Sequence, residues 1–169
     1  KDIFDTTGLL AFRNRRIVDR GQGFEDKGQF DIAEQVFGVS GCIVLYRRKA
    51  LLDIKVFDEI WDNDFFSYKE DIDISWRLNL RGWKCCYEPV AVAYHQRGTE
   101  IFKHYNNKTI LAHRKNVPEM AKFYSYRNQR LMQVKNEIFS DLLNDFPRLF
   151  LRELLSFGYI LLFEPKIYI

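Results

Sequence analysis

The sequence predicts an α/β domain followed by an all-helical extension, on three observations. Residues 38–46, GVSGCIVLY, form a glycine-punctuated apolar run of strand length. Residues 70–81 repeat Ile72, Trp76 and Leu80 at the i, i+4, i+8 spacing of one helix face, with Gly82 placed to stop the helix. From residue 116 the pattern turns to two long helical stretches, 116–144 and 146–163, each opened near a proline, Pro118 and Pro147.

The remaining elements follow in order. Residues 1–37 carry Gly21, Gly23 and Gly28 among Arg20, Asp26 and Asp31, which reads as a long ordered loop. Residues 47–54 have helical character. Residues 83–87 read as a strand, and residues 90–95 as a second one after the break at Pro89, with Val90, Val92 and Tyr94 on one face. Repeats and low-complexity tracts are absent from the sequence.

Composition excludes several classes. A chain of 169 residues that is 47% hydrophobic and 29% charged has enough apolar surface to fold. A formal charge of +3 is too weak to argue for a nucleic-acid partner. Cys42, Cys85 and Cys86 form no CxxC pair and no closed disulfide set, which fits a reducing cytoplasm, and Cys85 and Cys86 read as small apolar fillers. No apolar run reaches the roughly 20 residues of a bilayer span. The chain opens on Lys1 and stops within an apolar stretch, so both ends read as cuts.

Charge is unevenly placed. Between residues 58 and 73 seven acids face Lys69 alone, and between 103 and 135 eight Lys or Arg face Glu119 alone. This is either a polar site beside an anion-facing surface or two solvated faces of opposite sign.

The acidic segment is where chemistry concentrates. One acid at a helix start is ordinary dipole complementation. Glu70, Asp71 and Asp73 together, behind Asp62 and Asp64, repel one another, and such repulsion marks a site needing a base, a cation or a hydroxyl acceptor. Phe65, Phe66 and Tyr68 lead into it, as pocket walls or as core. Asp71 and Asp73 lie about 200° apart on the helix wheel and cannot share a pocket. Asp73 has Arg77 at i+4 and reads as structural. Asp71, at the helix mouth, is the candidate general base, with Glu70 orienting it or the acceptor. His95 ends a strand with no partner in the sequence; His104 and His113 lack a chelating spacing.

Residues 38–95, with GVSGCIVLYRR, FDE, FFSYKEDIDISWR, GWKCCYEP and a final His, resemble the second half of family 2 glycosyltransferases, most closely the rhamnosyltransferase-like branch. Phe65, Phe66, Glu70, Asp71, Asp73, Arg77, Gly82, Trp83, Pro89 and His95 stand in matching order. Residues 19–37 resemble the preceding loop, and residues 126–137, YRNQRLMQVKNE, the helical tail. The resemblance implies the later half of a GT-A Rossmann-like sandwich, with residues 1–100 a partial catalytic domain on the acceptor side and 101–169 a helical extension. It implies inverting transfer from a nucleotide-sugar donor to a cell-surface glycan or a polyprenyl-linked acceptor. Asp71 would be the base and His95 a ligand of a divalent cation, Mg2+ or Mn2+. Gly38, Ser40 and Gly41 would lie near the donor sugar, Phe66, Tyr68 and Arg77 would contact donor or acceptor, and Asp73, Trp76, Gly82, Trp83 and Pro89 would be structural. The family's nucleotide-binding half and its metal-binding DxD are missing from these residues, so the fragment is expected to be inactive alone. The alternative is a non-catalytic glycan- or lipid-binding module on the same scaffold. The basic, aromatic stretch 116–144 and the apolar stretch 146–163 suit a peripheral contact at the inner face of the cell membrane, or packing as a helix hairpin on the core or on a second subunit.

Overall fold

The structure is a computed structural model in which residues 3–95, 114 and 116–168 are described. Its pivot is the helix Glu70–Leu80, which is buried on nearly every side: Ile72, Asp73, Ile74, Ser75, Arg77 and Leu78 are all inaccessible. The apolar stripe read from the sequence is only half of its packing. Ile72 joins Leu9, Phe65 and Met132 in one cluster, while Ile74 and Leu78 join Ala50 and Ile54 in another. A helix clamped between two clusters has no solvent face along most of its length, so Trp76 is half-buried and Leu80 is the exposed end. Its end follows the sequence reading. Gly82 adopts φ 80°, its N–H donates to the Asn79 carbonyl, and Trp83 N–H donates to the Leu78 carbonyl at 3.0 Å, a Schellman closure.

In chain order the elements are β1 (Leu9–Ala11), β2 (Ile17–Asp19), β3 (Glu34–Val36), α1 (Arg48–Asp53), a 3-10 turn (Asn63–Phe65), α2 (Glu70–Leu80), β4 (Cys85–Tyr87), α3 (Glu119–Asn136), α4 (Phe139–Phe163) and a 3-10 turn (Pro165–Tyr168). β1 and β2 form one antiparallel pair, with Leu10 opposite Val18; β3 and β4 form another, with Gln35 opposite Cys86. The architecture is mixed α/β with small sheets.

Four expectations are corrected. Residues 1–37 contain three short strands rather than a loop. Residues 38–46 are not a strand: beyond a Leu9–Gly38 bridge they have no ladder partner among the described residues, and Leu45 is 98% exposed. Gly38 meets β1 in that single bridge and also packs on Ser75 of α2, and the Gly41 N–H turns to Asp71, so the ladder goes no further. Residues 90–95 are also irregular, with Val90, Val92 and Tyr94 exposed, because no described strand lies beside them. Cys86, expected as a filler, is exposed.

The helical part is bolted to the rest. Arg15, left-handed at φ 63° in the β1–β2 turn, is buried and forks between Glu137 at 2.6 Å and Asp145 at 2.7 Å. Both carboxylates hold the guanidinium well above its usual range of protonation, the Glu137 bond most of all. Glu137 is extended, and so the stretch expected as one helix over 116–144 breaks there into α3 and α4. Pro147 lies inside α4, where it frees the carbonyl of Leu143; that residue is exposed, so water can take the bond.

α4 is amphipathic the wrong way round for a soluble helix. Asp145, Arg152, Glu153 and Ser156 face inward, with Arg130–Glu153 at 2.5 Å and Arg152–Glu153 at 2.9 Å. Phe146, Phe150, Leu151, Leu154, Leu155 and Leu162 face outward, each more than half exposed. No helix among the described residues is long and apolar enough to cross a membrane.

A methyl added at Gly38 would lie 2.3 Å from both Cβ and Oγ of Ser75, a fully buried residue fixed to the α2 backbone. Gly38→Ala must therefore push the loop off α2. A urea titration of the variant is expected to show a loss of about 1–3 kcal/mol; an unchanged midpoint would mean that the loop does not rest on the helix.

Candidate active site

The segment before α2 is bent against its own preferences. Phe66, Tyr68 and Lys69 all have positive φ, at 57°, 71° and 71°, and none is glycine. Such residues cost on the order of 1–3 kcal/mol each unless the surroundings over-determine them. Here α3 does so. Asn128, fully buried, turns its side-chain NH2 toward the carbonyls of Phe65, Ser67 and Tyr68 at 2.9, 2.8 and 2.7 Å. Two hydrogens serve three acceptors, so one is shared, and three carbonyls of the strained turn are paired from α3. Arg127 donates to the Asp64 carbonyl beside it.

The helix that this turn launches separates its acids as the wheel requires. Asp73 is 1% exposed and accepts from Arg77 Nε at 2.8 Å, Lys135 Nζ at 3.0 Å and Asn136 Nδ2 at 2.7 Å. Lys135 also reaches Asp62 at 2.6 Å. Burial alone would raise the Asp62 carboxyl, but the Lys135 ammonium and the Asp64 N–H outweigh it and hold it below the usual range. Arg77 was expected at the donor or acceptor. It is instead buried, and beyond Asp73 it donates to the carbonyls of Ile54 and Ile60, both at 2.6 Å. Its planar fork braces three segments of the core.

Asp71 faces the other way and is half-buried at the helix mouth. Its Oδ2 accepts the Gly41 N–H at 2.9 Å, and its Oδ1 accepts the N–H of Ile72 at 2.8 Å. A side chain at position 41 would crowd the Asp71 Cβ at 3.3 Å, so the glycine allows this approach. Glu70 is beside it, with Oε2 buried and lacking a hydrogen-bond partner among the described residues. Gly38, expected near a donor sugar, is packed on Ser75, and Ser40 Oγ lies 3.5 Å from Cys42 Sγ.

Two titratable neighbours escaped the sequence reading. Burial, then the Asp71 charge and Cys85, push Tyr46 up to about 12, so its phenol stays protonated beside the carboxylate. Burial and the charges of Arg152 and Arg130 bring Lys69 down to about 8 against the opposing pull of Asp71. Neither had a signal in the sequence, because Tyr46 and the arginines come from other elements.

Exposed aromatics border the acidic turn. Phe66 is 78% exposed and lies 5.1 Å from the Tyr124 ring, which Arg127 covers at 5.0 Å; Tyr68 is also exposed. The sequence left Phe65, Phe66 and Tyr68 as walls or core. Phe65 is core, and the other two are surface. Trp76 packs edge-on to Phe37, Trp83 Nε1 donates to Asp53 at 2.9 Å, and Pro89 is half-buried after β4. His95 is exposed, with Nδ1 2.9 Å from Asp5 Oδ2. Asp5 carried no sequence signal, since 90 residues separate the pair. His104 and His113 lie outside the described residues.

Residues 24–110, just over half of the chain, match the family described as Glycosyltransferase like family 2. The chain belongs to that family. It is also similar to the poly-beta-1,6-N-acetyl-D-glucosamine synthases of Staphylococcus aureus strains COL, N315 and MW2, each 36% identical over 63 residues. That alignment covers 37% of this chain and 14% of each relative, so it compares one segment rather than whole proteins. No solved structure gives a significant match. The family match takes in Gly41, Asp71 and His95 but stops before α3, whose residues hold the acidic turn in place.

Proposed function

We propose that these residues are the acceptor-side half of an inverting, nucleotide-sugar-dependent glycosyltransferase of the rhamnosyltransferase-like branch, built on a GT-A Rossmann-like plan and acting in surface-glycan synthesis. The observation that carries this reading is the placement of Asp71. A base for a sugar hydroxyl must be accessible, anchored and close to a surface on which a sugar can lie. Asp71 sits at the mouth of α2, one oxygen anchored by Gly41, directly after a turn whose Phe66 and Tyr68 are exposed. Sugar rings offer C–H faces that stack on aromatics, and their hydroxyls suit a carboxylate acceptor. In a single in-line displacement Asp71 accepts the proton of the acceptor hydroxyl as its oxygen bonds to the donor carbon and the nucleoside diphosphate leaves. Glu70 orients the acceptor from the adjacent position. The donor's nucleotide is held by residues other than these, including a DxD.

The same reading includes a divalent cation, which stabilises charge on the departing diphosphate. His95 fits as one of its holders because it converges with other donor side chains rather than standing alone.

The outward face of α4 supports a peripheral membrane contact at the cytoplasmic face, where a polyprenyl-linked acceptor is presented. A helix whose polar side is used up in ion pairs and whose apolar side is bare gains by lying in a bilayer interface. A homo-oligomer would cover the same face.

In the full-length protein Asp71→Asn is expected to lower kcat about 10²–10⁴-fold while donor binding, read by calorimetry, persists. Normal turnover would remove Asp71 as the base. Leu151→Glu with Leu155→Glu is expected to abolish flotation with liposomes of bacterial polar lipid; flotation that persists, or a dimer that the pair dissociates in sedimentation, would replace the membrane reading.

A further inference from the structure

Between the start of α3 and the end of α4 lies an open cavity of about 540 Å3, well away in sequence from the acidic turn. Its size falls within the roughly 300–1,000 Å3 of small-ligand sites. The walls are apolar: Met120 and Phe123 come from α3, Phe163 from the last turn of α4, and Ile167 from the 3-10 turn beyond it. Ile167 is buried, while Met120 and Phe163 are exposed, so hydrocarbon stands open to water. Phe163 follows Leu162, the last residue of the outward stripe on α4, so the cavity begins where that stripe ends. Charge around these walls is unequal. The Glu164 carboxylate serves two cations, Arg114 at 2.7 Å and Lys122 at 3.3 Å, and the Lys122 side chain is only 12% exposed. At the rim Lys166 meets Glu119 at 3.4 Å with both side chains exposed. Such a pair is worth little and exchanges readily for another partner. Among the described residues here three cations face two carboxylates, an excess of one positive charge.

We propose that this cavity binds one hydrocarbon chain of a membrane lipid phosphate, the chain lying along Met120, Phe123, Phe163 and Ile167 and the phosphate between Lys122 and Lys166. The two parts of the cavity ask for the two parts of one molecule. A neutral hydrocarbon would dry the walls and leave the surplus cation unanswered. A free phosphate would answer the cation and leave the walls wet. A peptide would bring backbone N–H and C=O groups for which the four apolar walls hold no partner. An amphiphile with one negative head satisfies both. Lysine ammonium groups hold a phosphate as mobile point charges, without the fixed geometry of a guanidinium fork. Lys166 gains more from such a head than from its exposed contact with Glu119, and Lys122 answers it without giving up Glu164 to water, because Arg114 stays on that carboxylate.

This goes beyond peripheral contact of α4, which needs only a bare helix face and no discrete site. It does not require that Asp71 act as a base. A monomeric amphiphile reads the cavity without a bilayer, so the cavity and the membrane contact fail separately.

The test is calorimetric titration of the full-length protein with decyl phosphate, kept below the concentration at which it forms micelles. The expected result is saturable binding at one equivalent. Affinity should rise about fourfold for each methylene buried on going from hexyl to decyl phosphate. Decyltrimethylammonium, with the same chain and the opposite charge, should bind at least tenfold more weakly, and inorganic phosphate should give no saturable heat. Met120→Asp with Phe163→Asp, both at exposed positions, should abolish binding. Lys166→Gln should weaken decyl phosphate about threefold or more and lessen its salt dependence. Leu151→Glu with Leu155→Glu should leave the affinity as it is. Absence of binding, equal affinity for the cationic amphiphile, or binding that survives Met120→Asp with Phe163→Asp would overturn the site. So would its loss in Leu151→Glu with Leu155→Glu, which would put the chain on the α4 stripe instead.

Discussion

The Asp73 carboxylate, buried between two helices with three donors on it, is the interaction on which the rest of the structure depends. Arg77 comes from its own helix and Lys135 and Asn136 from α3. A carboxylate at 1% exposure is costly to bury without such partners. The magnitudes separate it from the surface pairs. Lys55–Asp58, with Asp58 99% exposed, is worth about 0–1 kcal/mol. Removing one partner of a buried set such as Asp73's costs about 3–5 kcal/mol, because the others are left uncompensated. The set also specifies: it fixes which face of α3 meets which face of α2. Every contact that α3 makes with the acidic turn, Asn128 first, follows from that registration.

From this tie the division of labour among the acids follows. Two residues from Asp73, Asp71 points the opposite way because helices turn about 100° per residue. One carboxylate is spent on holding the helix, and the other is left at the mouth with a glycine amide to aim it. Between them the strained residues 66–69 are kept in place from outside, by Asn128, rather than by any favourable local conformation. The proposed site thus rests on a part of the chain that lies 60 residues later.

Much of this was legible in the sequence where the signal is local. The extent of α2, its glycine stop and the pairing of Asp73 with Arg77 all come from spacing within one helix. So does the inference that Asp71 and Asp73 cannot share a pocket. The failures come where the outcome is set by distant partners. Residues 38–46 have strand composition, but a ladder needs a neighbour along its length, and here it ends at the one Leu9–Gly38 bridge, where Gly38 also packs on Ser75. Arg77 reads as a site residue by its position beside the motif, yet the carbonyls of Ile54 and Ile60 claim it. Asn128, Lys135 and Asn136 stood within a recognisable tail, but nothing in their spacing says that they face the acidic turn. Asp5 is the clearest case. An aspartate in a loop has no signal of its own, and only the fold brings it to His95. The reversed amphipathicity of α4 was half visible: its apolar residues were plain, but that its polar face is the one turned inward required Arg15 and Arg130 to be placed against it.

The central claim is that α3 holds the acidic turn in the geometry that presents Asp71. Residue-resolved hydrogen exchange on Asn128→Ala tests it most directly. The account predicts that amides 65–71 exchange about tenfold faster or more, equivalent to some 1.4 kcal/mol of lost local protection, while amides of α1 keep their rates. Unchanged exchange across 65–71, or an equal loss of protection in α1 and the turn alike, would contradict it.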